Sequence, residues 1–324
     1  MAERLKKQWL EEEKLVDLVV GPDAYRDLPN LIGSADEGHR MINVLLSREE
    51  TYADISPVRL ESNGITAFIS IMRGCDNMCS FCVVPFTRGR ERSRDPFSIV
   101  AEAAGLFENG FREVTLLGQN VDSYKWENPE TGEKVNFAKL LEMTALVHPD
   151  LRVRFSTSHP KDMTDDLLEA VRDLPKVMKY LHIPVQSGCD EILKRMKRQY
   201  TVSSYREMLQ RCREIIPGVT ISSDFIVGFC GETEESFQKT VELVRESKFK
   251  NSFIFKYSPR AGTKADDLYP DDVPEETKKR RNNDLLLVQN ANCLADHRLQ
   301  VGKTVSVLVE GLSKLNIYFQ RYEK

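Results

Sequence analysis

Cys75, Cys79 and Cys82 lie within eight residues of each other and have the spacing C-x3-C-x2-C. Three thiolates on one short loop can ligate three irons of a cubane, which leaves the fourth iron open to a small molecule. Bacterial ferredoxins use C-x2-C-x2-C and a later Cys-Pro, which this loop lacks. Structural zinc requires four ligands, and no neighbouring Cys or His completes such a set. The spacing therefore predicts a 4Fe–4S cluster with one exchangeable position.

The other four of the seven cysteines are far apart in sequence: Cys189, Cys212, Cys230 and Cys293. The chain starts with a charged stretch and not with a secretory signal, so a disulfide framework is not expected. Isolated cysteines are more often small buried hydrophobic residues than metal ligands. We therefore expect one cysteine-ligated cluster in this chain and no second one.

Strand-like and helix-like segments alternate between residues 65 and 258. Most of the six predicted strands are rich in Ile, Val, Phe and Thr, as buried parallel strands are; the six are residues 65–72, 113–117, 152–157, 180–185, 220–227 and 252–257. The predicted helices between them include residues 96–109, 137–147, 165–173, 203–216 and 234–247. Connections of this length predict parallel pairing and an α/β fold. Periodicity alone leaves both a doubly wound sheet and an open barrel possible.

The positions of the polar motifs favour the barrel. The cysteine loop follows the first predicted strand, Gly118-Gln119-Asn120 follows the second, and Gln186-Ser187-Gly188 follows the fourth. Polar and glycine-rich residues at the carboxyl ends of successive strands mark the active-site face of a barrel. We therefore predict a partial, open TIM-like (β/α)6 barrel.

The two ends of the chain differ from this central pattern. Residues 1–15 are predicted to form a charged helix, followed by a strand at 16–20 and a helix at 25–31, which together resemble the end of another α/β domain. A β-rich segment begins at Val301, with a strand at 304–309, and is too short to form a stable sheet alone. We expect an N-terminal remnant and linker at 1–60, the core at 61–298, and the start of a further β domain at 299–324, with both ends truncated.

Composition restricts the class of protein. The chain has 41% hydrophobic and 30% charged residues and no apolar run of the roughly 20 residues that span a bilayer. We therefore expect a cytoplasmic protein without a membrane partner. The net charge is −4, but cations cluster at residues 88–94, 194–198 and 278–281, and such clusters can contact phosphates locally. For residues 278–281 a solvated helix face is an equally good interpretation.

The cysteine motif with Phe81 as its aromatic residue resembles the signature of the radical S-adenosylmethionine (SAM) superfamily. The strings at residues 83–94, 116–124 and 182–188 are similar to its methylthiotransferase branch, and in particular to the type that modifies isopentenylated adenosine in tRNA. The resemblance extends from Met1 to about residue 314. It implies a radical SAM barrel as the fold, and a C-terminal domain of the RNA-binding TRAM type.

The resemblance also implies a mechanism. S-adenosylmethionine chelates the open iron through its amino and carboxylate groups, and an electron from the reduced cluster breaks its sulfur–carbon bond. The resulting 5′-deoxyadenosyl radical abstracts hydrogen from C2 of the tRNA adenosine, where a methylated sulfur is then inserted. The partners implied are tRNA and a flavodoxin-like electron donor. The cofactors supply the reactive chemistry, and the protein positions the reactants.

Site residues follow from the same resemblance. Phe81 and Ile226 are expected to pack on the adenine of the cofactor, and polar residues at the strand ends to bond its methionyl and ribose groups. The expected cofactor-binding set is Phe81, Gly118, Gln119, Ser156, Ser158, Gln186, Ser187, Ile226 and Tyr257. The expected substrate-binding set is Asn120, Arg88, Arg90, Arg94 and Arg260.

Members of this branch carry three further cysteines in an N-terminal domain, where they hold an auxiliary 4Fe–4S cluster that supplies sulfur. The present chain is expected to begin past the third of them, and thus to cleave S-adenosylmethionine without completing sulfur transfer. Two alternatives stay open. The first is a sister methylthiotransferase that acts on threonylcarbamoyl-adenosine in tRNA or on an aspartate of ribosomal protein S12. The second is a non-catalytic iron–sulfur or zinc protein that binds RNA.

Overall fold

The computed structural model describes residues 12, 16–55, 57–60, 62–312 and 319–322. Its strands, numbered along the chain, are β1 Leu18–Val20, β2 Met41–Asn43, β3 Thr66–Ser70, β4 Met72–Arg73, β5 Arg92–Ser93, β6 Glu113–Leu117, β7 Lys125–Glu127, β8 Lys134–Asn136, β9 Arg152–Ser156, β10 Tyr180–His182, β11 Thr220–Val227, β12 Asn251–Lys256, β13 Leu308–Leu312 and β14 Phe319–Tyr322.

Ten α-helices accompany these strands: α1 Leu28–Asp36, α2 Val84–Thr87, α3 Pro96–Glu108, α4 Phe137–Ala145, α5 Asp165–Asp173, α6 Asp190–Arg195, α7 Val202–Ile215, α8 Glu234–Ser247, α9 Lys264–Leu268 and α10 Glu275–Arg298, all within the described ranges. Short 3-10 turns occur at Tyr25–Asp27 and Val121–Ser123. None of the helices in these ranges has the length and apolar character needed to cross a membrane.

Two three-stranded parallel sheets, β3–β6–β9 and β10–β11–β12, form the centre of the fold. Val153 of β9 forms a parallel bridge to Val177, just before β10, and Ser158 N donates to His182 O (3.0 Å) at the other end. The six strands therefore follow one another in chain order. A doubly wound sheet reverses its strand order at a switch point. The architecture is the predicted open barrel, since β3 and β12 are not paired with each other among the described strands.

Side chains alternate between the two faces of each barrel strand. In β6, Val114 and Leu116 are fully buried, whereas Thr115 and Leu117 on the opposite face are partly exposed. The buried face packs into one continuous core with the helices that follow the strands. The other face lines the lumen of the barrel, where polar and charged side chains are common.

The bounds of the barrel strands agree with the prediction except at two strands, where the hydrogen bonding between neighbouring strands ends early or changes partner. The predicted strand at 180–185 ends at His182, because Pro184 has no N–H to donate and Val185 N bonds the Ser223 hydroxyl instead (3.1 Å). The predicted first strand at 65–72 divides into β3 and β4. Met72 and Arg73 turn away to pair antiparallel with β5.

Helix α10 covers the outer side of β12. Gln289 donates to Phe249 O (2.9 Å) and accepts from the Ser252 hydroxyl (2.8 Å), while Asn282 donates to Ile254 O (2.9 Å). The helix thereby satisfies backbone acceptors at the last strand of the barrel.

The basic residues of α10 are partly structural. Lys278 pairs with Asp271 (2.6 Å) and Arg281 with Glu232 (2.9 Å), and both cations are buried. Burial raises the pKa of Glu232 to about 7, although Arg281 opposes this effect. Both interpretations of residues 278–281, phosphate contact and a solvated helix face, are therefore wrong for Lys278 and Arg281.

The N-terminal segment is fixed to the barrel by a buried ion pair. Asp23 accepts from Arg92 with both oxygens (2.9 Å each), and Arg73 lies 3.3 Å from the same carboxylate. The Arg73 guanidinium also stacks over the Tyr52 ring, 4.9 Å from its centroid. These contacts place the parallel pair β1–β2 against the loop that follows the cysteines.

Predictions for the termini were less accurate. The predicted helix at 1–15 lies outside the described residues except at position 12. The helix predicted at 25–31 consists of a 3-10 turn followed by α1, and the strand predicted at 304–309 lies at β13, antiparallel to β14. The hairpin β7–β8 was not predicted, although its Asn128-Pro129 and Gly132 (φ +71°) are turn signals.

Candidate active site

The cysteine loop begins where β4 ends. Gly74 has φ of +73°, and a Cβ there would lie 2.0 Å from Arg90 O, so only glycine fits. Met78, between the first two cysteines, is also left-handed, with φ of 49°. Cys82 N donates to Cys79 O (3.1 Å). These local constraints hold the three cysteines on one tight loop.

All three cysteines are free thiols. Burial raises the pKa of Cys75 and raises that of Cys82 to about 11, and the charge of the neighbouring sulfurs adds to the effect. The three groups therefore lie close enough to repel each other as thiolates. Thiols in this setting need a positively charged partner in order to ionise, and a metal centre is such a partner.

Arg198 supplies a cation to this loop and was not among the predicted site residues. Its Nη1 donates to Cys79 Sγ (3.2 Å), its Nη2 to Pro184 O (2.8 Å) and its Nε to the Tyr200 hydroxyl (2.6 Å). Burial lowers the pKa of the guanidinium, but Tyr200 and Cys79 raise it more, so the group stays charged. The sequence feature that could have identified Arg198 as a site residue is its position after the fourth strand, on the active-site face.

Ser80 ties the cysteine loop to two other loops of the same face. Its N–H donates to Met196 O (3.0 Å) and its hydroxyl to Arg195 O (2.7 Å). Its carbonyl accepts from Ala265 N (2.8 Å), at the start of α9. The loops after the first, fourth and sixth barrel strands are thereby held together.

A cavity of about 340 Å³ opens beside this loop. It brings together five of the predicted residues from four different loops and strands: Phe81, Gln186, Ile226, Tyr257 and Arg260. Its remaining lining residues are Asp224, Phe255, Lys256 and Ser258. Three apolar side chains, Phe81, Ile226 and Phe255, thus face the same space as several polar groups, and a small-molecule site combines the two in this way.

Asp224, which the sequence analysis missed, places a carboxylate in this cavity. Its Oδ1 is buried and lies 3.2 Å from His182 Nε2, but it lacks a well-aligned hydrogen-bond donor. The other nitrogen of the ring, His182 Nδ1, bonds the Ser222 hydroxyl (2.7 Å). The Asp224 side chain is 23% exposed and lines the cavity, so its carboxylate can accept hydrogen bonds from a ligand that presents hydroxyl groups.

Two residues at the strand ends of this face have left-handed backbones. Thr157, just after β9, and Gln186, in the loop after β10, each have φ of 76°. For a β-branched residue such as Thr157 this conformation is an outlier, and such strain concentrates at functional sites. The strain supports a ligand site at this face.

Other predicted residues lie outside the cavity. Gly118 is required for packing, because a Cβ would lie 2.4 Å from Met72 Cγ. Gln119 is exposed, and the Ser156 hydroxyl lies 3.4 Å from that of Thr157. Their predicted contact with a cofactor stays a prediction.

Ser158, Ser187 and Asn120 use their polar groups within the protein. Ser158 donates to the buried Asp122 (2.9 Å), and Ser187 accepts from Cys189 N (3.2 Å). Asn120 donates to Asp162 (2.7 Å), although its buried Oδ1 lacks a partner.

Burial raises the pKa of Asp122 to about 8, against the hydrogen bonds from Ser158 and His159 N. At neutral pH this group is therefore mostly a neutral acid. It holds the loops after β6 and β9 together through those two hydrogen bonds.

The predicted substrate arginines fall into two groups. Arg88, Arg90 and Arg260 are exposed, and Arg90 makes only a surface pair with Asp76 (3.1 Å). Arg94 departs from the expectation, because its side chain is 8% exposed and pairs with Glu102. Its nitrogens also bond Ser98 and backbone carbonyls, so Arg94 is structural.

The thiols fit a multi-iron cluster better than zinc. Zinc ligands converge on a single ion, whereas the three cysteines of an open cubane each bind a different iron.

Cys189 and Cys230 do not join the three thiols. They pack with Ile192, Met196 and Phe229 in a separate apolar cluster.

Comparison with known proteins points to one family. The profile of the Radical SAM superfamily matches residues 69–244. The tRNA-2-methylthio-N(6)-dimethylallyladenosine synthase of Amoebophilus asiaticus is 58% identical in a match that covers 97% of this chain and 67% of that protein. The protein of the same name from Christiangramia forsetii is 53% identical over 97% of this chain and 68% of its own length.

Among solved structures, the radical S-adenosylmethionine methyltransferase TsrM of Kitasatospora setae, with tryptophan and a SAM analog bound, matches with a TM-score of 0.54. The identity is 16%, and the match covers 73% of this chain and 50% of that one. At this identity the similarity shows a shared fold.

Proposed function

This chain belongs to the radical SAM superfamily and, within it, to the tRNA methylthiotransferases, and from that membership we propose its reaction. The chain cleaves S-adenosylmethionine reductively and thereby activates C2 of N(6)-dimethylallyladenosine in tRNA for attachment of a methylthio group. The observation that carries the proposal is a loop with three free thiols beside a cavity built from the ends of the fourth, fifth and sixth strands.

Cys75, Cys79 and Cys82 would hold a 4Fe–4S cluster. Bound there, the cluster and S-adenosylmethionine would supply an electron and a carbon radical able to abstract hydrogen. The protein's own contribution is to fix the loop through Gly74 and Ser80, and to keep Cys75 largely buried from water.

Arg198 is well placed to bind the carboxylate of S-adenosylmethionine. A guanidinium has five N–H donors, and Arg198 uses three of them on Cys79, Tyr200 and Pro184. Two donors stay available on a group fixed beside the cluster loop. Charge-assisted hydrogen bonds to a carboxylate are among the stronger polar contacts in proteins.

The cavity residues suit the adenosyl part of the same ligand. Phe81 and Ile226 offer apolar surfaces for the adenine ring, and the Asp224 carboxylate offers an acceptor for ribose hydroxyls. Gln186 adds an amide beside it.

The remaining partners follow from the same family. We propose that the exposed Arg88, Arg90 and Arg260 contact tRNA phosphates, and that a flavodoxin-like protein supplies the electron. Sulfur would come from an auxiliary 4Fe–4S cluster on cysteines other than the seven of this chain. We further propose the division into residues 1–60, 61–298 and 299–324.

Cluster assembly tests the first half of the proposal. After anaerobic reconstitution we expect about four irons per chain and, with dithionite and S-adenosylmethionine, release of methionine and 5′-deoxyadenosine. Cys82→Ala should abolish that release, whereas Cys293→Ser, which changes a cysteine bonded to Lys250 O, should not. Equal release from wild type and Cys82→Ala would exclude the cluster assignment.

Isotope transfer tests the second half without requiring sulfur. An RNA stem-loop is prepared with deuterium at C2 of its single N(6)-dimethylallyladenosine. We expect mass spectrometry to find this deuterium in the 5′-deoxyadenosine released by the reconstituted chain. Release of unlabelled 5′-deoxyadenosine only, with RNA bound, would contradict the proposed substrate.

A further inference from the structure

Two exposed phenyl rings line the lumen next to the proposed cofactor cavity. Phe253 and Phe255 of β12 are 49% and 54% exposed. Such exposure is unusual for large apolar side chains at the centre of a barrel, where a ligand or another chain segment normally covers them.

The register of β12 shows which way these rings point. Ser252 and Ile254 face α10 and the core, through the Ser252 bond to Gln289 and the packing of Ile254. Side chains alternate along a strand, so Phe253 and Phe255 face the lumen. The rings of Phe253 and His182 are in T-shaped contact, with centroids 5.9 Å apart.

The same register connects the rings with the cavity. Phe255 pairs with Ile226 and Phe253 with Asp224 in the parallel ladder of β11 and β12. Phe255, Ile226 and Asp224 all line the cavity, whereas Phe253 lies one step further into the barrel. An apolar wall therefore continues from the cofactor cavity down the lumen.

The chemistry of the proposed substrate requires an apolar surface at this place. In N(6)-dimethylallyladenosine only N1 and C6 separate the reacting carbon C2 from the N6 substituent. The branched five-carbon chain must therefore lie near the cofactor whenever C2 does. Burial of its methyl and methylene groups against phenyl rings is favourable, and water would oppose it.

We propose that Phe253 and Phe255 form the binding site for the dimethylallyl group and thereby select prenylated over unmodified adenosine. The inference rests on the proposed function, since it concerns the substrate of the same site. The rings contact the substituent from β12, and the adenine of the substrate lies next to the cofactor cavity.

Binding measurements test this inference without a turnover assay. The reconstituted chain with S-adenosylmethionine is titrated with two RNA stem-loops, identical except that one carries a single N(6)-dimethylallyladenosine in place of adenosine. The dissociation constants come from fluorescence anisotropy. We expect the wild type to prefer the prenylated RNA, and Phe253→Ala to lower that preference about tenfold.

Three variants make the result specific. Phe253→Leu keeps an apolar group and should retain most of the preference, and Phe255→Ala should reduce it as Phe253→Ala does. Phe97→Ala removes an equally exposed ring (53%) on helix α3 and should leave the preference unchanged. Binding of S-adenosylmethionine to Phe253→Ala should match wild type, because Phe253 lies outside the cavity lining.

Each outcome decides the matter. If Phe253→Ala and Phe255→Ala both keep the wild-type preference, the site for the prenyl group lies elsewhere and the proposed function stands. If the wild type binds both RNAs equally, the inference is also wrong, and the deuterium transfer described above decides separately whether the reaction proposed is right.

Discussion

Arg198 is the residue that we propose binds the carboxylate of S-adenosylmethionine. Its guanidinium is fixed by Cys79, Tyr200 and Pro184 before any ligand enters. Such preorganisation lowers the entropy lost on binding, and a charged donor in a buried setting is difficult to replace.

Replacement of Arg198 by Met should therefore weaken the binding of S-adenosylmethionine. We expect a tenfold to hundredfold rise in the dissociation constant, about 1.5–3 kcal/mol for a hydrogen bond to a charged group, measured by equilibrium dialysis on reconstituted protein. Arg198→Lys keeps the charge and should lose less. Arg195→Met, on the same turn but stacked on Tyr269, serves as control, and an unchanged constant for Arg198→Met would refute the role.

Asp122 gives stability a distinct dependence on pH. Its pKa is about 8 in the folded protein and about 3.9 in an unfolded chain, so between these values the folded state binds more protons. The stabilisation from this group is complete below about pH 4 and is lost as the pH rises to about 8, at about 1.4 kcal/mol per unit.

Thermal denaturation of wild type and Asp122→Asn at several pH values measures this effect. Between about pH 5 and pH 8 the wild type should lose more stability than the variant, which cannot ionise at this position. Parallel pH profiles for the two proteins would show that Asp122 is ionised in the folded state after all.

Some, but not all, of the residues around the cavity were singled out from the sequence alone. Phe81, Gln186 and Ile226, which the sequence singled out from a strand end or from the cysteine motif, line one cavity, and their contact with a cofactor stays a prediction. Arg198 and Asp224 were missed. Their roles depend on partners distant in sequence, such as Cys79, 119 positions before Arg198, and a single sequence does not reveal such pairs.

Among the elements, the loop after β10 and helix α8 are in close backbone contact at Gly188. A Cβ on Gly188 would lie 2.5 Å from Lys239 O and 2.6 Å from Thr240 Cα. Both neighbours are backbone atoms of a helix and cannot rotate away. Gly188 N also donates to the Thr240 hydroxyl (2.9 Å).

Gly188→Ala should therefore lower the free energy of unfolding by about 3 kcal/mol, as overpacking of a rigid contact does. Gly105→Ala is the matched control, because that glycine lies in α3 with open space around its Cα and should gain up to about 1 kcal/mol from helix propensity. Urea denaturation measures both changes. If Gly188→Ala lowers the free energy of unfolding no more than Gly105→Ala does, the contact at Gly188 is not tightly packed.

The regular elements were well predicted because their signals are local. The bounds of β6, β11, α5 and α8 agree with the sequence periodicity at both ends. The hairpin β7–β8 and the division of the first strand into β3 and β4 were missed, because three-residue strands contain too few residues for a period to register.

For the molecule as a whole, the ion pair of Asp23 with Arg92 joins the N-terminal segment to the barrel. The two side chains are 1% and 4% exposed. Removal of one partner leaves the other charge buried and unpaired, which typically costs 3–5 kcal/mol.

Asp23→Ala should therefore destabilise the protein by about 3–5 kcal/mol in urea denaturation. Glu246→Ala, which breaks the exposed pair with Arg206 (46% and 57% exposed side chains), should cost less than about 1 kcal/mol. Equal effects of the two substitutions would mean that the N-terminal segment contributes little to the stability of the barrel.

The sequence predicted that the six strands lie in chain order only because the polar motifs were assigned to one end of a barrel. The docking of residues 16–55 did not follow, because Asp23 and Arg92 are 69 positions apart and each alone resembles a surface charge. Long-range pairing of this kind is a property of the assembled fold.

The contacts of Ser80 have a consequence for how the protein withstands air. Oxygen destroys exposed iron–sulfur clusters, and the bonds of Ser80 to Arg195, Met196 and Ala265 would then be the main restraints between the loop of Cys79 and Cys82 and its neighbouring loops. Local unfolding around Ser80 would also release the segments after the fourth and sixth barrel strands, which Ser80 holds. Aerated protein should thus exchange the amide hydrogens of Ser80 and Ala265 faster, and proteases should first cut it at this junction.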